Sequence, residues 1–530
     1  MSAAVSDRGV VAAPHAIAAE SGRAILAEGG NAYEAMIAMA ATIAVVYPHM
    51  NAIGGDGFWL VREPSGEVRY IEACCRAGSR ATPAFYRDRG YDAIPARGPL
   101  SALTVPGAIN GWRLALELAE RAGGRLPLDM LLGRAIAHAR EGFSVSACQG
   151  RTVPKLFDEI VTAPGFAETF MRDGKMLAAG DPLVQTRLAD TLEHLVRAGL
   201  GDFYDGDISR ELASDLDRIG APVSRDDFSS HRARLLPPLR MTIRGGVLHN
   251  APPPTQGLAS LIILGVMERL GIKDDQGPDY LHVLVEATKR AFAIRDRACV
   301  DYDRMGADPQ RWLTPERLDR EAASVDRSRA ASFPAPAFDE GDTVWMGAID
   351  AEGRAVSYIQ SIFWEYGSGC ISPSTGVLFQ NRGAAFSLDP ADANPLAPGR
   401  QPFHTLNPPI AVMDDGRVIA YGTMGGEGQP QTQAMVLSRY LWLGQDVEQA
   451  VTAPRVRLGR SWGEDDASLK YETRFDPETL DRLASMGHEL SSFGEDFTDE
   501  AGHAGIIVRD ARGRIEGAHD PRSDGGALGV

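Results

Sequence analysis

The change of pattern at residue 343 constrains this chain more than any other feature. Residues 324–342 show no period, and then 343–350 and 354–361 read as two strands joined by the turn Ala351-Glu352-Gly353. A hydroxyl residue that opens a buried strand directly after a loop that could be cut is how an N-terminal nucleophile is built. Cleavage before Thr343 frees its α-amine, which then acts as general base for the hydroxyl of the same residue. A threonine that merely starts a strand after a surface loop has the same local sequence, so the hairpin alone leaves both readings open.

The 530 residues exceed what one small core needs, so several domains or one large layered domain is expected. Hydrophobic content of 44% and charged content of 24% argue against disorder and fibrous repeats. A formal net charge of −17 argues against nucleic-acid and anionic-membrane partners, which need a basic field. The start, Met-Ser-Ala-Ala-Val-Ser-Asp-Arg, lacks a basic stretch followed by an apolar run, so a cytoplasmic location is the expectation. Cys74, Cys75, Cys148, Cys299 and Cys370 contain no CxxC pair and read as free thiols. With no HExxH and no cysteine–histidine cluster, neither a metal nor a cofactor is expected.

Helices and strands alternate over the first ~120 residues. A helix over 15–28 stops at Gly29-Gly30, Asn31 caps an alanine-rich internal helix, and Pro48 ends it. The glycines of Asn51-Ala-Ile-Gly-Gly-Asp-Gly-Phe58 fit neither Walker A nor GxGxxG, so close backbone packing explains them better. Residues 108–329 read as mostly helical, and strands follow, among them 376–380, 409–412, 418–421, 505–509 and 514–517. Strands joined by short turns, with helices before and between them, imply stacked sheets enclosed by helical layers.

Gly422-Thr-Met-Gly425-Gly426-Glu-Gly428 joins a strand to a helix, and its paired glycines let backbone N–H groups approach an oxyanion. A plain strand-to-helix turn would look similar. Ser368 and Cys370 read as turn residues, and His404 as an acid, a substrate donor or a structural histidine.

Together these segments resemble the γ-glutamyltransferase family of autoprocessing N-terminal nucleophile hydrolases. The resemblance runs nearly end to end, through Gly54-Gly-Asp-Gly57, Val105-Pro-Gly-Ala-Ile-Asn-Gly111, Pro252-Pro-Pro254, 282–297, 343–361, Gly425-Gly426 and Asp520-Pro-Arg-Ser-Asp524. It implies an α+β fold, an αββα sandwich of two stacked sheets between helical layers. It also implies autocleavage between Asp342 and Thr343. The products would be a large, helix-rich subunit, 1–342, ending in a mobile tail over about 324–342, and a small subunit, 343–530, the two together forming one structural domain. Thr343 would be nucleophile and amine base, Ser361 the supporting hydroxyl, and Gly425 and Gly426 the oxyanion pair.

The substrate positions depart from the family's pattern. Glutamyl-binding members place an arginine where this chain has Ala73-Cys74-Cys75, with Arg76 one step away, and adjacent aspartates where it has Ala384-Ala385. Their paired serines become His404-Thr405, and a pocket asparagine becomes Phe363. Arg382, His404, Thr405 and Asn381 remain, donors that suit one carboxylate beside the scissile carbonyl with no amino group to recognise. With Pro48-His-Met-Asn51 and Asn381-Arg-Gly383, this looks most like the oxamate amidohydrolase branch. That branch cleaves a short monoamide to oxalate and ammonia in purine and allantoin nitrogen catabolism. The implied partners are a small carboxylate amide and the two subunits of one precursor, which could assemble further as a homo-oligomer. A γ-glutamyltransferase or glutathione hydrolase, and a non-catalytic binding relative, are the alternatives.

Overall fold

The computed structural model describes residues 3–272, 277–333, 342–459 and 467–530. The hairpin lies at its centre. Strands Asp342–Asp350 and Ala355–Phe363 are the middle of a seven-stranded antiparallel sheet. Asp56–Arg62, Val68–Ala73 and Arg234–Leu236 flank them on one side, Gly9–Ala13 and Gly526–Gly529 on the other. Alternation along the first strand sorts the core. Val344, Met346 and Ala348 pack toward helices that include Ala32–Val46 and Ala108–Arg121, while Trp345 and Ile349 face the second sheet.

That second sheet also has seven strands, in the order Ala4–Ser6, Ile515–His519, Ala504–Arg509, Val418–Thr423, Ile410–Met413, Gly246–Asn250 and Leu239–Ile243. Its outer face carries Gly257–Leu270, Pro278–Ala298 and Gln429–Trp442. The order of layers is helix, sheet, sheet, helix, so the protein has the αββα fold.

Ala32–Val46 shows how sequence produces one layer. All fifteen of its residues are buried, and its small alanines allow close approach. Asn31 Oδ1 accepts from the amides of Tyr33 and Glu34, and Glu34 Oε2 accepts from the Asn31 amide. Such a capping box contributes about 1 kcal/mol.

Two expectations need correction. Residues 376–380 form isolated bridges, Gly54 with Phe379 and Ile371 with Leu378, and no ladder. Within the stretch read as helical, 239–250 is a hairpin of the second sheet, and Leu239, Met241 and Ile243 alternate inward. The stretch from 324, expected to become a mobile tail after cleavage, is held in the uncut chain as far as 331. There the Ala330 amide donates to Met486 O at 2.8 Å, the Ala331 amide to Glu286 Oε1 at 3.0 Å, and Lys289 Nζ to Ala331 O at 2.6 Å. Residues 334–341, the rest of that tail, lie outside the described residues.

Candidate active site

Four strands bring the site together at one end of the first sheet. The register slips between Asp342, which pairs with Phe363, and Val344, which pairs with Gln360, so Thr343 lies in a bulge against Ser361 and Ile362. Ser361 pairs across with Asp56 on the next strand, and Gly57 pairs with Ala73, which leads into Cys74-Cys75. Thr343 is 1% exposed, and its Oγ1 has no hydrogen-bond partner. Ser361 Oγ accepts from the Phe363 amide at 2.8 Å. Phe363 itself has φ 82°, a left-handed conformation that costs a non-glycine residue about 1–2 kcal/mol.

The second sheet supplies the opposite wall. A Cβ on Gly347 would press on Ile507, and one on Gly505 or Gly422 on the Trp345 ring. Ile507 pairs with Ala420, and Gly505 with Gly422. The strand Val418–Thr423, which leads into Gly425 and Gly426, therefore packs against the hairpin strand that carries Thr343 and Trp345. Gly425 and Gly426 have φ of 114° and 48° and precede the helix Gln429–Trp442. N–H groups at a helix start lack intrahelical acceptors and sit at the positive end of its dipole, which suits an oxyanion.

Arg382 is fully buried, with its Cζ 3.9 Å from the centre of the Phe363 ring. Its Nη1 donates to Thr405 Oγ1 at 3.3 Å, but Nε and Nη2 have no partner. Burial lowers its pKa to about 10, which still leaves it charged at neutral pH. Beside it His404 Nε2 and Asp56 Oδ2 lie 2.8 Å apart, both residues fully buried. Burial, reinforced by the charge of Arg382, pulls His404 down to about 4, so the ring is neutral. Burial is the largest influence on the Asp56 carboxyl and would raise it, but His404, Gln380 and the other groups around it together hold Asp56 below the usual carboxylate range. His404 Nε2–H donates to the ionised Asp56, which makes the orphaned Nδ1 of the neutral ring an acceptor and not the donor expected.

Asn381 braces its loop: Oδ1 accepts from the Trp364 amide at 3.1 Å and Nδ2 donates to Ala96 O at 2.9 Å. Arg76 turns away, to Asp303 at 3.0 Å and Gly399 O at 3.1 Å. Two organisers escaped sequence reasoning. Asp56 holds His404, Gln380 Nε2 at 3.1 Å and the Gly107 amide at 3.2 Å. Gln256 Nε2 donates both to Thr405 O at 2.9 Å and to Gly426 O at 2.7 Å, tying the Thr405 loop to the Gly425-Gly426 loop. The signals were present as the lone acid in the glycine loop and the lone amide after Pro252-Pro-Pro254.

This geometry, a buried hydroxyl at a strand start on an αββα sandwich, defines an N-terminal nucleophile hydrolase. The family model described as Gamma-glutamyltranspeptidase matches residues 18–530, and the chain belongs to that family as an amidohydrolase. It is 47% identical over 526 residues to an oxamate amidohydrolase proenzyme of Klebsiella pneumoniae, covering 99% of each chain. It is 38% identical over 530 residues to a glutathione hydrolase-like YwrD proenzyme of Bacillus subtilis, again covering 99% of each. A crystal structure of cephalosporin acylase from Bacillus halodurans superposes with a TM-score of 0.92 at 28% identity, over 100% of this chain and 97% of that one. Among the described residues no helix is long and apolar enough to cross a membrane.

Proposed function

We propose that the chain cuts its own Asp342–Thr343 peptide into subunits 1–342 and 343–530, and that the mature protein hydrolyses oxamate to oxalate and ammonia. The observation that carries this reading is Arg382, a fully buried cation with two unpaired donors, stacked on the residue opposite the cleavage point. One carboxylate would satisfy both donors. Ala384-Ala385 offers nothing to grip an ammonium group, which a glutamyl substrate would bring.

The Thr343 hydroxyl attacks the amide carbonyl while its α-amine takes the proton. The Gly425 and Gly426 amides hold the oxyanion, and Ser361 supports the nucleophile. The C–N bond breaks as the amine returns the proton to nitrogen, releasing ammonia and leaving an oxalyl ester on Thr343. Water, deprotonated by the same amine, cleaves the ester to oxalate and restores the hydroxyl. Arg382 and Thr405 hold the carboxylate, and His404 Nδ1 accepts a hydrogen bond from the substrate amide nitrogen, which favours a primary amide. Asn381 acts by fixing the loop that carries Arg382.

The 47% relative named for oxamate supports this substrate, and the 38% relative's name supports a γ-glutamyl compound instead. Steady-state turnover of oxamate against a γ-glutamyl anilide separates them. Oxamate turnover without anilide turnover is the expected result, and the reverse would overturn the substrate assignment.

A further inference from the structure

Cys74 and Cys75 follow the strand Val68–Ala73 and lie beside Asp56 and His404, yet the hydrolysis described above makes no use of them. Both are buried, at 3% and 0% exposure. One ligand atom from each of Asp56, Cys74, Cys75 and His404 lies within 4.8 Å of all the others. We propose that these four residues bind one thiophilic divalent cation of the zinc type, and that its uptake switches hydrolysis off. The inhibitory half of this statement rests on the hydrolase mechanism proposed above, and the binding half does not.

The donor set argues for the cation's class. Two sulfurs, one imidazole and one carboxylate suit zinc and its relatives and disfavour magnesium or calcium, which take oxygen ligands. Bonds of about 2.0–2.3 Å in a tetrahedron put donors roughly 3.3–3.8 Å apart, so the observed spacing needs only small side-chain rotations. Buried free thiols are also common as small apolar fillers. Here, however, the pair borders a carboxylate and an imidazole whose Nδ1 has no partner. Burial pushes both thiols up, so they are protonated without metal.

Uptake is balanced as follows. Both thiols lose their protons to solvent, and His404 moves its proton from Nε2 to the vacant Nδ1 while Nε2 becomes the ligand. The cation, two thiolates and the Asp56 carboxylate together carry a single negative charge, which the Arg382 guanidinium beside them offsets. Hydrolysis stops because His404 Nδ1 becomes a donor facing the substrate N–H, and because Asp56 no longer orients the ring.

The test uses the full chain as purified, stripped with chelator and titrated with cobalt(II). The expected result is one equivalent bound, with a near-ultraviolet thiolate-to-cobalt band whose intensity corresponds to two thiolates. The band should weaken in Cys75→Ser, vanish in the Cys74→Ser/Cys75→Ser double variant and persist in Cys148→Ser. That last variant controls for a second grouping, Cys148 with Asp499 and His503. Absence of the band in the wild-type chain, or its survival in the double variant, overturns the site. If the double variant does not fold, the wild-type intensity and the single variants decide. Zinc should abolish turnover and chelator restore it, whereas a cobalt band with undiminished turnover under zinc would refute the switch. Because the band needs no substrate, a failed oxamate assay leaves the site standing.

Discussion

Two of the clusters of buried charge among the described residues, around Asp520 and around Arg382, are built on different rules. Around Asp520 every carboxylate oxygen is paired, and the polar atoms left without a partner, Arg455 Nε and His519 Nε2, are on the basic side chains. Asp520 Oδ1 takes Arg522 Nη1 at 2.9 Å and the Arg522 amide at 3.0 Å, while Oδ2 takes the Ala504 amide at 2.8 Å and Arg455. Glu472 receives Arg522 through Nε at 2.7 Å and Nη2 at 2.6 Å. Around Arg382 the balance is reversed: Arg382 Nε and Nη2, His404 Nδ1, Gln380 Oε1 and Thr343 Oγ1 are all buried and unpartnered. A closed network specifies architecture, and an open one costs stability that is recovered when a ligand arrives. The closed cluster also serves the open one. Arg455 Nη1 grips Gly502 O at 2.6 Å, and Gly502 packs against Gly425.

Acid should strain both clusters and gives the largest effect. His404 titrates near 4 and His519, beside Asp520, near 3, with His231 near 4 and His49 near 3, all lowered mainly by burial. Below about 6.5 the unfolded chain binds protons that the folded chain refuses, so stability falls as pH drops from 6.5 toward 4. Each group contributes roughly 1.4 kcal/mol per unit in that window. A melting temperature that stays flat from pH 7 to 4 would contradict neutral buried histidines.

Arg522→Ala leaves Asp520 and Glu472 short of a cation and should cost about 3–5 kcal/mol of stability, with turnover per folded molecule nearly unchanged. Denaturant unfolding beside an active-site titration measures both quantities. Arg382→Met should do the converse. The melting temperature holds or rises, while kcat/KM for oxamate falls by about 1.5–3 kcal/mol, roughly 10- to 150-fold. If both variants lose stability and spare activity, the distinction between the clusters fails.

Much of the first sheet was legible because its signals are local. The hairpin at 343–361, the Asn31 cap and the close-packed glycines Gly54 and Gly55 all follow from neighbours in sequence, and a Cβ on either glycine would meet backbone at 2.1 Å. Gly9–Ala13 and Gly526–Gly529 were not legible, because short buried or glycine-rich runs lack alternation. The site was half visible. Thr343 and the paired glycines stand out by local pattern, and Ser361 and Arg382 by family resemblance, but the partnership of Asp56 with His404 spans 348 positions, and no local pattern records it. The acceptor character of His404 Nδ1 follows only once Asp56 is beside Nε2.

The most direct test of the central claim is the intact mass of the purified chain under denaturing conditions, with N-terminal sequencing of each fragment. Two fragments are predicted, the smaller beginning at Thr343, and a Thr343→Ala chain should remain whole and inactive. A single 56.9 kDa species that still turns over substrate would contradict an N-terminal nucleophile at Thr343. A single species without turnover would favour a binding relative on the same scaffold.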